Sequence, residues 1–353
     1  MDKIRQLDWG LNLGVILLLC FGIVVISSTS PAIARDQIIF AVLGYLLYSF
    51  LFLIDYRLIR PFIIILYFLN LILLVLTYFY GEVSRGAARW FALGGFTFQP
   101  SEISKLVIIL ALAHYFSSAA TNPRTFKSFL FALLLIAVPA VFIFLQPDLG
   151  TALVIFAIFI GVALMAGVST FYLFGFGALA AALSVPVFFL LKEYQRHRII
   201  TFINPMLDPL GRGYQVIQSV IAIGSGGLLG RGFGQGTQSH LKFLPAYNND
   251  FIFASLTEEW GFIGSVILLL LYILVFWRIL EIARTAADDF GVLLTVGVFS
   301  MLFFQMAVNI GMNLGLTPIT GIPLPLISSG GSSLIVTLVA LGFIQNVAFQ
   351  RKT

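Results

Sequence analysis

The chain has 353 residues, of which 60% are hydrophobic and only 10% are charged. A soluble domain is usually about a quarter charged, so this composition excludes an ordinary soluble protein and predicts a polytopic helical membrane protein. The formal net charge of +5 does not indicate nucleic acid binding, because the basic residues lie at the ends of apolar segments, where Lys and Arg orient membrane spans. The single cysteine, Cys20, excludes a disulfide framework and a cysteine metal site.

Apolar segments separated by short polar turns predict an all-α fold, a polytopic membrane protein of about ten transmembrane helices. In chain order, the predicted spans are residues 10–29, 38–54, 61–80, 102–118, 128–146, 151–167, 170–191, 251–280, 290–312 and 331–349. We expect a single integral membrane domain over residues 1–353, with a large extracytoplasmic loop, residues 192–250, between helices 7 and 8. The alternating pattern of a β-barrel is absent.

The distribution of Lys and Arg predicts the orientation. With the N-terminus inside, the inner segments carry ten of these residues and the short outer connections carry four, which places both termini in the cytoplasm. The polar segments 81–101, 146–151, 192–250 and 312–333 then share the outer face. Because the inner connections are short, we expect any chemistry at the outer membrane surface.

The stretch NNDFIFASLTEEWGFIG places one carboxylate before an apolar segment and two inside it. In one continuous helix, Glu258 would lie ~12 Å deeper than Asp250, with Glu259 on the opposite side. An ionised carboxylate at the bilayer centre costs roughly 2.5–3.5 kcal/mol, so the deeper two need a partner. The sequence predicts that Glu258, Lys105 and Glu102 form a charge network below the outer cleft. The alternative to a role at the site is that these charges only hold the helix bundle together. Asp250, at the water interface, is expected to do chemistry.

The long loop carries six basic and three acidic residues, which are Lys192, Arg196, Arg198, Arg212, Arg231, Lys242, Glu193, Asp208 and Asp250. This excess fits an anionic headgroup or diphosphate ligand, and ordinary attraction to anionic membrane lipid is the alternative. Residues 213–224 are typical of a short helix on the bilayer surface. The Gly-rich run at 224–238 lacks the ending of a phosphate-binding P-loop, so a flexible loop is expected. Asp148 is expected to cap the following helix.

Five stretches are informative together: RWFALGGFTFQPSEISKL, QPDLGTAL, GRGFGQGTQSHLKFLP, NDFIFASLTEEWGFIG and MNLGLTPITGIPLPLISSGGSSL. In this order they closely resemble the SEDS family of shape, elongation, division and sporulation proteins, over essentially the whole chain. GQGTQSHLKFLP and GIPLPLISSGGSS look more like the elongation members than the division members. The resemblance implies a multi-pass protein of the bacterial plasma (inner) membrane, peptidoglycan glycosyltransferase activity on lipid II, and a class B penicillin-binding protein as transpeptidase partner.

The resemblance also assigns site residues. The aspartate that the family treats as essential falls on Asp250, and the Glu and Lys of its Q-P-S-E-x-x-K pattern fall on Glu102 and Lys105. Two departures stand out: Pro245 is followed by Ala-Tyr-Asn-Asn where the family usually shows Glu-x-His-Thr, and Ser329 replaces a usual Tyr. The residues expected to bind substrate or support the site are Glu102, Lys105, Arg89, Arg196, Arg198, Arg231, Lys242 and Glu258.

The implied chemistry needs a base rather than a strong acid, since diphosphate is already a good leaving group and a sugar hydroxyl is a poor nucleophile. Asp250 would be that base, and loop arginines, Lys105 or a divalent cation, Mg²⁺ or Mn²⁺, would neutralise the departing diphosphate. Direct displacement at an α-linked donor inverts the anomeric carbon. Two other functions stay open at this point: a flippase for the lipid-linked precursor, and a non-catalytic scaffold for a transpeptidase.

Overall fold

The computed structural model describes residues 7–84, 87–93, 96–190, 196, 200–209, 211, 213–241 and 243–351. Every predicted span is helical. The helices are α1 Trp9–Thr29, α2 Pro31–Leu51, α3 Ile63–Tyr80, α4 Pro100–Phe116, α5 Phe126–Leu145, α6 Leu149–Met165, α7 Thr170–Leu190, α8 Tyr214–Gly226, α9 Thr237–His240, α10 Ile252–Arg284, α11 Asp289–Asn313 and α12 Gly331–Phe349. Short 3-10 helices cover Tyr56–Phe62 and Pro205–Leu207.

The apolar surface is that of a membrane protein. One buried core runs from Leu11 in α1 to Ala348 in α12. Outside it, large apolar side chains stay exposed along whole helices, such as Leu46 at 61% and Phe68 at 59%. In the described part of the chain, seven helices are long and apolar enough to cross a membrane. Helices that are apolar all round need lipid on their outer side, so the protein is a multi-pass membrane protein.

Both ends of the chain meet on one face of the bundle. Asp8 caps α1, and its carboxylate accepts hydrogen bonds from Arg278 and from Arg351 near the C-terminus. Burial alone would raise the pKa of Asp8, but these hydrogen bonds outweigh it and hold the pKa below its usual range. The far end of α1, roughly 30 Å away by its rise per residue, carries Thr29, which donates a hydrogen bond to Asn248. The segment before Asp250 therefore lies at the opposite end of the bundle from the termini.

Helix α10 is broken near its start, so the prediction of one continuous span from residue 251 is wrong. Gly261 has φ +66° and ψ −162°, which separates a short and largely buried first segment, residues 252–260, from the longer remainder of the helix. The loop satisfies the backbone groups that this break frees. The hydrogen bonds are Arg231 N–H to Glu258 O (2.9 Å), Gly232 N–H to Glu259 O (3.0 Å), Phe262 N–H to Gly227 O (2.9 Å) and Ile263 N–H to Leu228 O (3.2 Å).

This pairing explains the Gly-rich run, for which the sequence predicted a flexible loop. A Cβ on Gly230 would lie 2.1 Å from the Glu259 carbonyl oxygen, so a side chain cannot be accommodated there. The run is an ordered backbone partner of the helix break, and its glycines permit the close approach.

Helix α8 confirms the helix predicted in the long loop, but one of its faces packs on protein. The Ser219 hydroxyl donates to the Asn313 carbonyl oxygen of α11 at 2.8 Å. Val220 and Ile221, on the other face, are 47% and 45% exposed. Small residues thus bring α8 close to residues 252–260 of α10 and to α11, while its apolar face is not covered by the described part of the chain.

A small antiparallel sheet was not predicted. Its strands are β1 Glu82–Ser84, β2 Ala87–Leu93 and β3 Phe96–Phe98, in the order β1-β2-β3. From their composition, residues 81–101 are expected to form a polar loop. The alternating pattern of RWFALGGFTF around Gly-Gly is a hairpin signal that could have revealed β2 and β3. The sheet leads directly into α4.

The approach of α8 to α10 is testable with two glycines of the same helix. A Cβ on Gly226 would lie 2.0 Å from the Thr257 carbonyl oxygen, whereas nothing lies within 4 Å of a Cβ on Gly224. We expect Gly226→Ala to lower the melting temperature in detergent by several degrees, because the two backbones must separate. Gly224→Ala, as the control, is expected to leave it unchanged or to stabilise by up to ~1 kcal/mol through helix propensity. Equal melting temperatures for the two variants would contradict the close packing.

Candidate active site

A cavity of about 500 Å³ lies at the end of the bundle opposite the termini. Its wall is predominantly polar. The charged residues on its lining are Arg89, Glu102, Lys105, Asp148 and Asp250, and the amide side chains are Gln99, Asn249 and Gln305. Asp250 and the distant pair Glu102 and Lys105, all three assigned by the resemblance, are therefore brought to one chamber.

Asp250 stands two residues before α10 and is half-buried. Its carbonyl oxygen accepts hydrogen bonds from the side-chain amides of Asn309 and Asn313, both at 3.0 Å. Asn313 also accepts from the Ala254 N–H at 3.1 Å, in the first turn of α10. The backbone of Asp250 is thus fixed by α11, while its carboxylate belongs to the cavity wall.

The residues before Asp250 are held by the 312–333 segment. The Asn248 carbonyl oxygen accepts from the Ser329 N–H and hydroxyl, both at 2.9 Å. The Asn249 carbonyl oxygen accepts from the Ser328 hydroxyl at 2.6 Å, and its side-chain oxygen accepts from Ser329. The two places where the sequence departs from the family pattern are therefore in direct contact and pair with each other.

Glu102 and Lys105 form the predicted buried ion pair. The distance from Lys105 Nζ to Glu102 Oε2 is 2.7 Å, and their side chains are only 2% and 5% exposed. They lie one turn apart at the start of α4, which packs against α11. A positive group inside an apolar bundle is thereby held beside the cavity at reduced electrostatic cost.

The predicted network is wrong in its third member, Glu258. Its carboxylate accepts hydrogen bonds from the N–H groups of Gln238 and Ser239, at 2.8 and 3.2 Å. The first turn of a helix has unpaired N–H groups, so α9 offers Glu258 better partners than Lys105 does. Glu259 lies within 2.9 Å of His240 Nε2 and accepts from the Ser28 hydroxyl at 2.8 Å. Both deep carboxylates bind the loop to the bundle.

Arg89 and Asp148 stabilise the turn at 146–148. The Arg89 Nε donates to the Gln146 carbonyl oxygen at 2.8 Å, and its Nη2 donates to that of Pro147. Asp148 caps α6 through the Thr151 N–H at 3.2 Å, which confirms the predicted cap. Arg89 therefore brings a positive charge to the cavity wall, but at least two of its donors already bind the turn.

The two loop cations that the structure describes, Arg196 and Arg231, do not line this cavity. Arg196 donates to the Phe189 carbonyl oxygen at 2.9 Å, and Arg231 donates to the Thr237 hydroxyl at 3.2 Å. Neither lies on the cavity lining in the described part of the chain. Arg198 and Lys242 lie outside the described residues.

Sequence reasoning missed the amide side chains of α11. Gln305, Asn309 and Asn313 follow each other at intervals of four residues and are at most 1% exposed. Four-residue spacing puts them on one face of a helix. Three amides on one face of an otherwise apolar span are the signal that could have pointed to α11 as part of the site.

The ion pair on α4 makes a stability prediction. Lys105→Ala leaves the buried Glu102 carboxylate without its partner, so we expect a loss of ~3–5 kcal/mol and loss of activity. The double variant Glu102→Gln with Lys105→Met removes both charges and should recover most of the melting temperature but not the activity. An unchanged melting temperature for Lys105→Ala would argue against a structural ion pair.

Comparisons with known proteins agree with this architecture. A family model described as cell cycle protein FtsW/RodA/SpoVE matches residues 8–353. Peptidoglycan glycosyltransferase MrdB of Escherichia coli (strain K12) is 44% identical over 289 residues, which cover 81% of this chain and 78% of that protein. Peptidoglycan glycosyltransferase RodA of Treponema pallidum (strain Nichols) is 33% identical, with 98% of each chain covered.

Solved structures are similar over the same length. One solved chain comes from a structure described as "Structural coordination of polymerization and crosslinking by a peptidoglycan synthase complex". It has a TM-score of 0.84 and 37% identity to this chain, with 97% of each chain covered. The rod shape determining protein RodA of Thermus thermophilus has a TM-score of 0.75 and 32% identity, with 98% of each chain covered. Matched along its length in both sequence and fold, the chain belongs to the FtsW/RodA/SpoVE family, the SEDS proteins.

Proposed function

We propose that this protein is a peptidoglycan glycosyltransferase that polymerises lipid II into β-linked glycan strands during cell-wall elongation. Membership of the family, in which relatives are named peptidoglycan glycosyltransferases, supports the reaction class. The observation that carries the proposal is that a carboxylate, Asp250, and a buried ion pair, Glu102–Lys105, line one cavity of about 500 Å³.

In the proposed reaction, Asp250 accepts the proton of the acceptor's sugar hydroxyl. The hydroxyl oxygen attacks the anomeric carbon of the donor as the bond from that carbon to the diphosphate breaks. The diphosphate leaves with the bonding electron pair, attached to its undecaprenyl chain, and an α-linked donor gives a β-linked product. The hydrogen bonds from Asn309 and Asn313 to the Asp250 backbone hold the base in place without using its carboxylate.

The negative charge that grows on the diphosphate needs positive groups. Lys105 and Arg89 are the cations on the cavity lining in the described residues. No three His, Cys, Asp or Glu side chains cluster there in a way that would hold a metal ion, within that same part of the chain. Mg²⁺ often binds through one or two carboxylates together with substrate phosphates. A divalent cation, Mg²⁺ or Mn²⁺, held chiefly by the diphosphate and water would add charge neutralisation beside Lys105 and Arg89, and Asp250 would keep its role as the base.

The proposal includes location and partner. With the termini in the cytoplasm, as the Lys and Arg distribution predicts, the cavity opens on the outer face of the bacterial plasma membrane. Lipid II would enter from the membrane, and a class B penicillin-binding protein would crosslink the product. The similarity to a chain of a peptidoglycan synthase complex supports a partner of this kind.

Purified protein tests the reaction. We expect the protein, with its transpeptidase partner in detergent, to convert lipid II to glycan chains detectable by gel electrophoresis, and to lose this activity in EDTA until Mg²⁺ or Mn²⁺ is restored. Flipping has no meaning without a bilayer, so product formation excludes a pure transporter. A folded complex that makes no glycan with cation, while a control polymerase does, would favour the transport or scaffold function.

The base is tested by Asp250→Asn. This change keeps the size of the side chain and the backbone hydrogen bonds to α11, but the amide cannot take up the proton. We expect turnover to fall by ~10²–10⁴, with lipid II affinity and melting temperature retained. Asp36→Asn, at an exposed position on α2, is the matched control and should polymerise normally. Near-normal turnover of Asp250→Asn would remove the base assignment, and joint loss of binding and turnover would make Asp250 a ligand for substrate or metal.

A further inference from the structure

A second cavity, of about 470 Å³, lies at the other end of the bundle from the candidate active site. Helix α4 joins the two ends, because it begins beside Glu102 at the active site and ends at Phe116, roughly 20 Å away by its helical rise. The lining of the second cavity comes from the end of α4, the turn at 117–125 and the first part of α5. The cavity therefore lies near the membrane surface on the side of the chain termini, and the proposed reaction does not use it.

The charge around this cavity is of one sign. Lys127 is an exposed residue on the lining, and Arg124 is exposed in the turn just before it. Apart from Asp148, which lies at the active-site end, no Asp or Glu occurs from residue 103 to residue 192, a stretch that includes α5, α6 and α7. Neither cation has an acidic side chain beside it on these helices, so the cavity favours an anionic ligand.

Below this charged rim the lining is apolar and faces outward. Leu130, Phe131 and Leu134 lie on one side of α5 and are 43%, 48% and 54% exposed. The Phe131 ring packs on the ring of Tyr115, with the two centroids 4.8 Å apart. Tyr is typical of the membrane–water interface. The cavity is thus polar at the depth of lipid headgroups and apolar at the depth of acyl chains.

The rim also offers hydrogen-bond donors. The side-chain oxygen of Asn122, a lining residue, accepts from the Arg124 N–H at 3.0 Å. An asparagine amide has one acceptor end and one donor end, so its NH₂ group is left to donate to a ligand. Lys127 carries three further N–H donors and a positive charge. Donors of this kind suit a phosphate group.

We propose that this cavity binds an anionic phospholipid of the cytoplasmic leaflet, with its phosphate at Lys127 and Asn122 and an acyl chain along Leu130 and Leu134. The leaflet follows from the orientation that the Lys and Arg distribution predicts. Free phosphate would satisfy only the rim of the cavity. A zwitterionic lipid also carries a phosphate, but its cationic group would meet Lys127 and Arg124 and no carboxylate. A lipid with a net negative charge satisfies both the rim and the apolar wall.

Lipid binding by the purified full-length protein tests the charge. In neutral detergent with equal amounts of phosphatidylglycerol and phosphatidylcholine, native mass spectrometry should show preferential retention of phosphatidylglycerol. We expect Lys127→Gln to weaken phosphatidylglycerol binding about fivefold and to leave phosphatidylcholine binding unchanged. Arg284→Gln is the matched control, because Arg284 is an exposed cation at the terminal end of α10 but is not on the cavity lining. This control should retain the preference of the wild type.

Two neighbouring alanines test the cavity itself without a change of charge. Ala119 and Ala120 are both exposed in the same turn, and only Ala120 lines the cavity. We expect Ala120→Trp to fill the cavity and abolish the preference for phosphatidylglycerol, whereas Ala119→Trp should keep it. Both variants should melt at the wild-type temperature in lipid-free detergent, because both positions are exposed. If Ala120→Trp melts lower, the comparison of Lys127→Gln with Arg284→Gln decides.

Three results would overturn the proposal. The first is equal retention of the two lipids by the wild type. The second is equal weakening in Lys127→Gln and Arg284→Gln, which would indicate diffuse attraction to the membrane surface. The third is displacement of phosphatidylglycerol by inorganic phosphate at the same concentration, which would make the cavity an anion site and not a lipid site. The polymerase function is measured with lipid II, so it stands or falls independently of all three.

Discussion

Backbone hydrogen bonds between residues 227–232 and the break of α10 at Gly261 fix the long loop against the short helical segment that begins just after Asp250. A helix that breaks inside an apolar bundle frees N–H and C=O groups, and lipid offers them no partner. The loop supplies these partners from its own backbone. Gly230, which has no side chain, lets the loop backbone contact the α10 backbone at Glu259. The first segment of α10, residues 252–260, can therefore exist as a separate short helix that starts just after Asp250.

The same constraint explains why three carboxylates occupy one apolar stretch. Glu258 and Glu259 adjoin the break, where α9 brings backbone N–H groups to Glu258 and the His240 ring nitrogen lies 2.9 Å from Glu259. A deep carboxylate costs several kcal/mol to bury without partners, and the loop, together with Ser28 of α1, provides partners for both. Asp250 lies before this buried segment and is only half-buried, so of these three carboxylates it is the one on the cavity wall.

Structural features that depend on a local sequence signal could be predicted from the sequence alone. Span positions follow from apolar runs, the Asp148 cap follows from residue type before a helix, and the Glu102–Lys105 pair follows from one-turn spacing. The break at Gly261 could not be predicted in this way, because a single glycine in an apolar run is tolerated in a continuous helix. Only the distant loop that fills the break makes it stable.

The partners of Glu258 and the place of Gln305 on the cavity wall were missed for a related reason. Lys105 was chosen for Glu258 by charge and depth, but neutral N–H groups of α9 satisfy it at 2.8 and 3.2 Å. The depth of a residue along an apolar segment does not tell which helices are neighbours. The packing of α4 against α11 is seen only in the tertiary structure. The small sheet at 82–98 was overlooked although its Gly-Gly hairpin signal was local.

The packing of α4 and α11 below the cavity distinguishes an enzyme from a transporter of the lipid-linked precursor. From Lys105, α4 continues through buried apolar residues from Leu106 to Ala113. On α11 the segment between Asp289 and Gln305 buries Phe290, Leu293, Leu294, Val298, Met301 and Leu302. Its one fully buried polar side chain, Thr295, donates its hydroxyl to the Gly291 carbonyl oxygen of the same helix. That segment is roughly 24 Å long by its helical rise. A transporter needs polar groups along its path from both faces, whereas on these two helices the polar wall ends at Lys105 and Gln305. A chamber that is polar at one end and closed by apolar packing below suits a reaction at one membrane surface, with the lipid chains left in the bilayer.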